Sequence, residues 1–135
     1  MRHARPRSRR APAAHARRGR GPARAALTIR IDFGGCGYLG PGKVALMELI
    51  SRHGSISAAG RGMGMSYRRA WLLVAEINRI FREPLVATQM GGSGGGGAHL
   101  TRLGRDVVSR YRAIEGASMN AAAVDLRALQ ASLPH

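Results

Sequence analysis

The sequence predicts a mostly α chain with one small β-hairpin, an α+β domain that closes on a long C-terminal helix. Three observations carry that prediction. Apolar residues recur at three- and four-residue spacing behind Ser caps in the middle of the chain and again at its end. A glycine run, "GGSGGGG" at 91–97, separates two short apolar stretches and so marks a hairpin tip. The opening "ALTIRIDF" (26–33) alternates Leu27, Ile29, Ile31 and Phe33 with Thr28, Arg30 and Asp32, the period of a half-buried strand.

The elements follow in order. "GGCGYLGPG" (34–42) breaks the first strand. Pro41 suits the first turn of a helix, and "KVALMELISRHG" (43–54) continues it. Val44, Leu46, Met47, Leu49 and Ile50 form its apolar side, with Lys43, Glu48 and Arg52 outside it. Gly54 stands where a left-handed stop is needed. Ser55 or Ser57 caps a short helix that Gly64 ends. Gly60 and Gly62 weaken that helix by about 1 kcal/mol each relative to alanine. Ser66 then caps a longer helix expected to run to Phe81. Ala70, Leu73, Val74, Ile77 and Phe81 face the core, and Tyr67, Arg68 and Trp71 fall largely away from it. "LVATQM" and the short "AHL" form the hairpin. The last helix begins near Thr101 and takes in residues 102–133, with Gly116 as a point of kinking. It is longer than one small domain needs, which points to a dimer contact.

Charge decides the class of partner. Lys and Arg number 22 against 7 acids in 135 residues, a net +15. Such a chain is drawn to polyanions, nucleic acid first. Residues 1–25 hold nine arginines and no acid among Pro, Gly and Ala, so they read as a disordered basic tail ahead of a folded domain at 26–135. The tail is either a non-specific phosphate-binding arm or a solubilising extension. It has no apolar core of a secretory signal, and no apolar run approaches the ~20 residues of a membrane span. A cytoplasmic, nucleoid-associated protein with no membrane partner is expected. Cys36 is the single cysteine, which rules out an internal disulfide, and no Cys/His cluster suggests zinc.

Two stretches fit the G-x-G-x-x-G dinucleotide fingerprint: Gly35, Gly37, Gly40 and Gly92, Gly94, Gly97. Neither has its context. The first is followed by two helices with no second strand between them, the second by a short strand where a helix should point its N–H groups. The acids are scattered with no pair set for proton transfer, and neither His53 nor His99 has an evident acid partner. No catalytic residue, cofactor or metal site is expected, and the chain is not read as an enzyme.

A helix-turn-helix uses these residues better. Its second helix would open with Ser66, Tyr67, Arg68 and Arg69, presenting a dipole and guanidinium forks to phosphates or to guanine. Trp71 serves either that surface or the core. The glycine run then becomes the tip of a wing, whose bare backbone can approach phosphates closely.

Four stretches extend this reading: "GPGKVALMELI" (40–50), "GSISAAGRGMGMSYRRAW" (54–71), "EIN" (76–78) and "GGSGGGGAHLTRLG" (91–104). With them the chain, from about Leu27 to Glu115, resembles the DNA-binding domain of ModE-type molybdate-responsive regulators, a winged helix akin to the LysR-type one. The resemblance implies a dimeric transcription regulator whose helix from Ser66 reads the major groove and whose Gly91–Gly97 loop is the wing. Larger members bind molybdate or tungstate in C-terminal oxyanion domains. The resemblance finds no such domain within these 135 residues, so no small-molecule ligand is expected within the chain. Gly60 and Gly62 stand where relatives carry helix formers.

The expected partner is a double-stranded DNA operator bound by a homodimer, with half-sites one helical turn apart or a multiple of it. The expected DNA-binding residues are Ser55, Ser57, Ser66, Tyr67, Arg68, Arg69, Trp71, Gln89, Ser93, Gly94, Gly95, His99 and Thr101. The alternatives are a dimerisation partner or antagonist of a full-length regulator, and a non-specific nucleoid or RNA-binding protein.

Overall fold

Residues 23–89 and 96–134 are described in the computed structural model. The expected basic tail up to residue 22 and the expected hairpin tip at 90–95, with Ser93, Gly94 and Gly95, lie outside the described residues. The described chain is α+β. In order it forms β1 (Ile31–Asp32), a 3-10 turn (Gly34–Cys36), β2 (Tyr38–Leu39), α1 (Pro41–His53), α2 (Ile56–Gly62) and α3 (Tyr67–Asn78). A hairpin, β3 (Val86–Gln89) and β4 (Gly97–Leu100), leads into α4 (Arg102–Ala131). Both sheets are antiparallel pairs.

α1 lies at the centre, packed against α2, α3, α4 and β4. Its Val44, Leu46, Met47 and Ile50 are fully buried. Pro41 occupies its first turn, and Gly54 closes it at φ +70°, the left-handed conformation only glycine adopts without strain. Ser55 caps α2 by accepting from the Ala58 N–H (3.1 Å), and Ser66 caps α3 by accepting from the Arg69 N–H (3.1 Å). Gly60 has a packing reason: a Cβ there would lie 2.8 Å from the Ala70 Cβ, so α2 and α3 cross at van der Waals contact only because it is absent.

The first predicted strand keeps its pattern but loses most of its pairing. Only Ile31 and Asp32 pair, with Leu39 and Tyr38. Upstream the chain stays extended with alternating burial, and it runs along α4. The Tyr111 hydroxyl donates to the Ile29 carbonyl (2.8 Å), and farther along α4 the Gln130 amide bonds Ala23 and Ala25. The period of two records a strand half-covered by a helix.

Two further expectations are corrected. Lys43, placed outside the apolar side of α1, is only 5% exposed. Its ammonium sits over the Tyr38 ring, 3.6 Å from the centre, donates to the Tyr38 carbonyl (3.1 Å) and pairs with Glu76 (3.4 Å). α3 stops at Asn78, short of Phe81, because the Asn78 side chain turns to the hairpin. Its Oδ1 accepts from Leu85 and Val86 N–H, and its Nδ2 donates to the Val86 carbonyl, all within 3.0 Å. Phe81 is half-buried, edge-on to Phe33 with ring centres 5.2 Å apart.

α4 continues as one helix through Gly116. Its buried residues, Gly104, Val107 and Tyr111, all lie in its first third. Arg112 bridges Glu48 of α1 and Glu115, and those two carboxylates hold its guanidinium proton more tightly than usual. Beyond that point Met119, Val124 and Leu129 are exposed, and a five-residue spacing turns about 140° around a helix per step, so they wind around it.

Candidate nucleic-acid interface

The surface is built outward from α3. Ala70, Leu73, Val74 and Ile77 pin one side of this helix to the core. At about 100° per residue, Arg68 then lies nearly opposite that side, with Tyr67 and Trp71 on one flank and Arg69 on the other. Both arginines are exposed. Arg69 shares its flank with Glu76, so the two do not act as one fork. Tyr67 is 62% and Trp71 40% exposed, and the rings meet edge-to-face at 6.0 Å. Trp71 thus belongs mainly to the surface.

The hairpin is fixed beside the aromatic flank. Val86 and Leu100 face each other across its base and are both buried. The Ala98 N–H donates to the Gly54 carbonyl (2.9 Å), joining β4 to the turn between α1 and α2. Gly104 lets α4 approach just as closely, since a Cβ there would fall 2.1 Å from the Leu85 carbonyl oxygen. The result is an open cleft of about 290 Å³ lined by Ser55, Ser57, Tyr67, Trp71, Gln89 and Gly97, among others.

The other expected site residues are distributed differently. Ser66 is committed to its cap, and Ser55 lines the cleft while capping α2. Ser57 accepts from the Arg61 guanidinium (3.0 Å), drawing into the same wall a basic residue that sequence reasoning passed over. His99 is exposed on β4, paired with Ala87, and does not line the cleft. Thr101 holds the fold: its hydroxyl donates to the Pro84 carbonyl (2.8 Å) and accepts from the Gly104 N–H (3.0 Å). Thr88 lines the cleft and was not anticipated, although a polar residue next to Gln89 before a glycine run was a signal for it.

Electrostatically the surface favours anions. The only acid between Ile56 and Asn78 is Glu76, which is paired with Lys43. Among the described residues, Arg61, Arg68 and Arg69 make no ion pair. The first glycine fingerprint forms the 3-10 turn and β2, and among the described residues no parallel strand accompanies it. Among the described residues no cluster of His, Cys, Asp or Glu could hold a metal ion, and no helix is long and apolar enough to cross a membrane.

Comparison with known proteins finds relatives of two kinds. The chain is 37% identical over 96 residues to the molybdenum-pterin-binding protein MopA of Rhodobacter capsulatus, covering 71% of this chain and 36% of MopA. It is 46% identical over 77 residues to MopB of the same organism, covering 57% of this chain and 28% of MopB. To the DNA-binding transcriptional dual regulator ModE of Escherichia coli (strain K12) it is 38% identical over 74 residues, covering 55% of this chain and 28% of ModE. The chain thus spans about a third of the length of the curated relatives it matches. No family model matches it. Over more than half of its length, the chain is similar to ModE-type regulators and to Mop molybdenum-pterin-binding proteins.

Proposed function

We propose that this chain is a sequence-specific DNA-binding transcription regulator of the winged helix-turn-helix type. α3 is its recognition helix and the β3–β4 hairpin its wing. The observation that carries the reading is the cleft between them. The aromatic flank of α3 and the polar rim of the hairpin share one surface, beside Arg61 and the outward Arg68, which no described acid neutralises. A duplex laid there meets donors from a helix opening and from a hairpin at once. Residues 1–25 add a non-specific phosphate-binding arm to the domain at 26–135.

The regulator acts as a homodimer joined through α4. Supporting this, the helix outruns the core after Tyr111 and exposes Ile114, Met119, Val124 and Leu129. Gene control linked to molybdate is part of the proposal, because the relatives' names concern molybdenum and a ModE regulator.

In vitro selection from random duplexes tests the reading, with the full chain at 0.15 M salt. A specific regulator enriches an inverted repeat that it binds ~10³-fold or more tightly than bulk DNA. Equal affinity for selected and bulk duplex refutes it and indicates a packaging protein. Binding that needs an added full-length relative refutes it in favour of a dimerisation partner. Footprinting in cells grown with and without molybdate tests the link to that anion.

A further inference from the structure

The outward face of α3 carries an apolar side chain that the proposed contacts leave unused. Leu72 is 49% exposed, more than any other leucine of α1, α2 or α3. It stands one turn beyond Arg68 on the same stripe, beside Trp71, and the next outward residue, Ala75, is also exposed. The core beneath the helix is complete without it, since Ala70, Leu73, Val74 and Ile77 are buried. The side chain is therefore free to be desolvated by a partner. That partner is anionic, because Arg68 shares the stripe and the only acid of α3 is engaged with Lys43. A duplex meets both conditions. In its major groove the one apolar group is the 5-methyl of thymine.

We infer that Leu72 reads a thymine methyl group in each half-site, next to the base pair contacted by Arg68. This rests on the reading of α3 as a recognition helix and adds a base identity to it. Leu72 lies ~6 Å farther along the helix than Arg68, against ~3.4 Å per base step, so the thymine falls within about two base pairs of the arginine's contact.

The test uses the duplex recovered by selection, resynthesised with deoxyuridine replacing thymidine one position at a time. This change removes the methyl group and leaves pairing intact. At one thymine per half-site, deoxyuridine should weaken binding of the wild-type chain about three- to fivefold, the value of one buried methyl. Leu72→Ala should bind the thymine duplex about as weakly and show no further loss with deoxyuridine. Leu72 is exposed, so this variant keeps the fold, and an unchanged circular dichroism spectrum verifies that. If the selected duplex tolerates deoxyuridine everywhere, or if Leu72→Ala keeps the full sensitivity, the inference is overturned while the regulator stands. If Leu72→Ala leaves DNA affinity intact but changes the oligomeric state, the face belongs to a protein contact and the inference also fails. If no duplex is enriched at all, the proposed function has failed as well.

Discussion

Gly104→Ala should destabilise the fold and displace the hairpin, although the change favours helix. The new Cβ would lie 2.1 Å from the Leu85 carbonyl oxygen, where carbon and oxygen rest at about 3.3 Å or more. Relief requires α4 and β3 to separate by roughly 1 Å. The same oxygen accepts the Thr101 N–H at 2.9 Å, so separation also stretches that bond. Overpacking costs about 1–3 kcal/mol and the strained hydrogen bond about 1, against about 1 regained from helix propensity. The net is a loss of about 2 kcal/mol. Gly116→Ala is the control, because its Cβ meets nothing within 4 Å in the same helix, and it should stabilise by ~0.5–1 kcal/mol. Urea melts followed by circular dichroism, at equal protein concentration, measure both. Equal stability of the two variants would show that α4 does not depend on this approach. The Gly104 variant should also lose affinity for its duplex, since the hairpin moves relative to α3.

Arg68→Ala should weaken the selected operator by ~1–3 kcal/mol and relax preference at one base pair; a repeated selection that returns the same site unchanged removes Arg68 from base reading. Deleting residues 1–24, with nine arginines, should weaken binding to all duplexes alike and flatten the salt slope by up to ~8 units. A loss confined to one operator contradicts the non-specific arm. Burial, and to a lesser degree Glu115, raises the Tyr111 pKa above 10.0, with Arg112 acting against them. The folded chain holds that proton more tightly than the unfolded one, so the contribution is whole below pH 10 and declines as pH rises through the folded pKa. The urea midpoint should fall above pH 10, and Tyr111→Phe should fall less steeply.

Local chemistry was legible in the sequence, and long-range encounters were not. Ser66 caps α3 as expected, and of the two serines left open for α2 the structure uses Ser55, because a cap needs only an oxygen and an N–H three residues on; Thr101, near which the last helix was expected to begin, caps α4. Gly54 declared its stop for the same reason. Lys43 could not be placed from its spacing, since its burial depends on Tyr38 and on Glu76, contributed by a helix two elements later. Phe81 matched the helical period, but Asn78 found better partners in the hairpin. Gly60 looked like a defect until Ala70 proved to sit against it. At the candidate site, helical arithmetic located the aromatic flank and the outward Arg68. It did not show that Thr101 is spent on Pro84, nor that β-register sets His99 apart from the cleft.

The hairpin has three tethers: Ala98 to the Gly54 carbonyl, Asn78 to Leu85 and Val86, and Thr101 to Pro84. Each joins it to a different helix junction, so it cannot tilt without carrying all of them along. Torque entering through the far end of α4 would therefore reach the hairpin and the other helices together. In the proposed dimer, an input of that kind would act on how the two copies are spaced along a duplex.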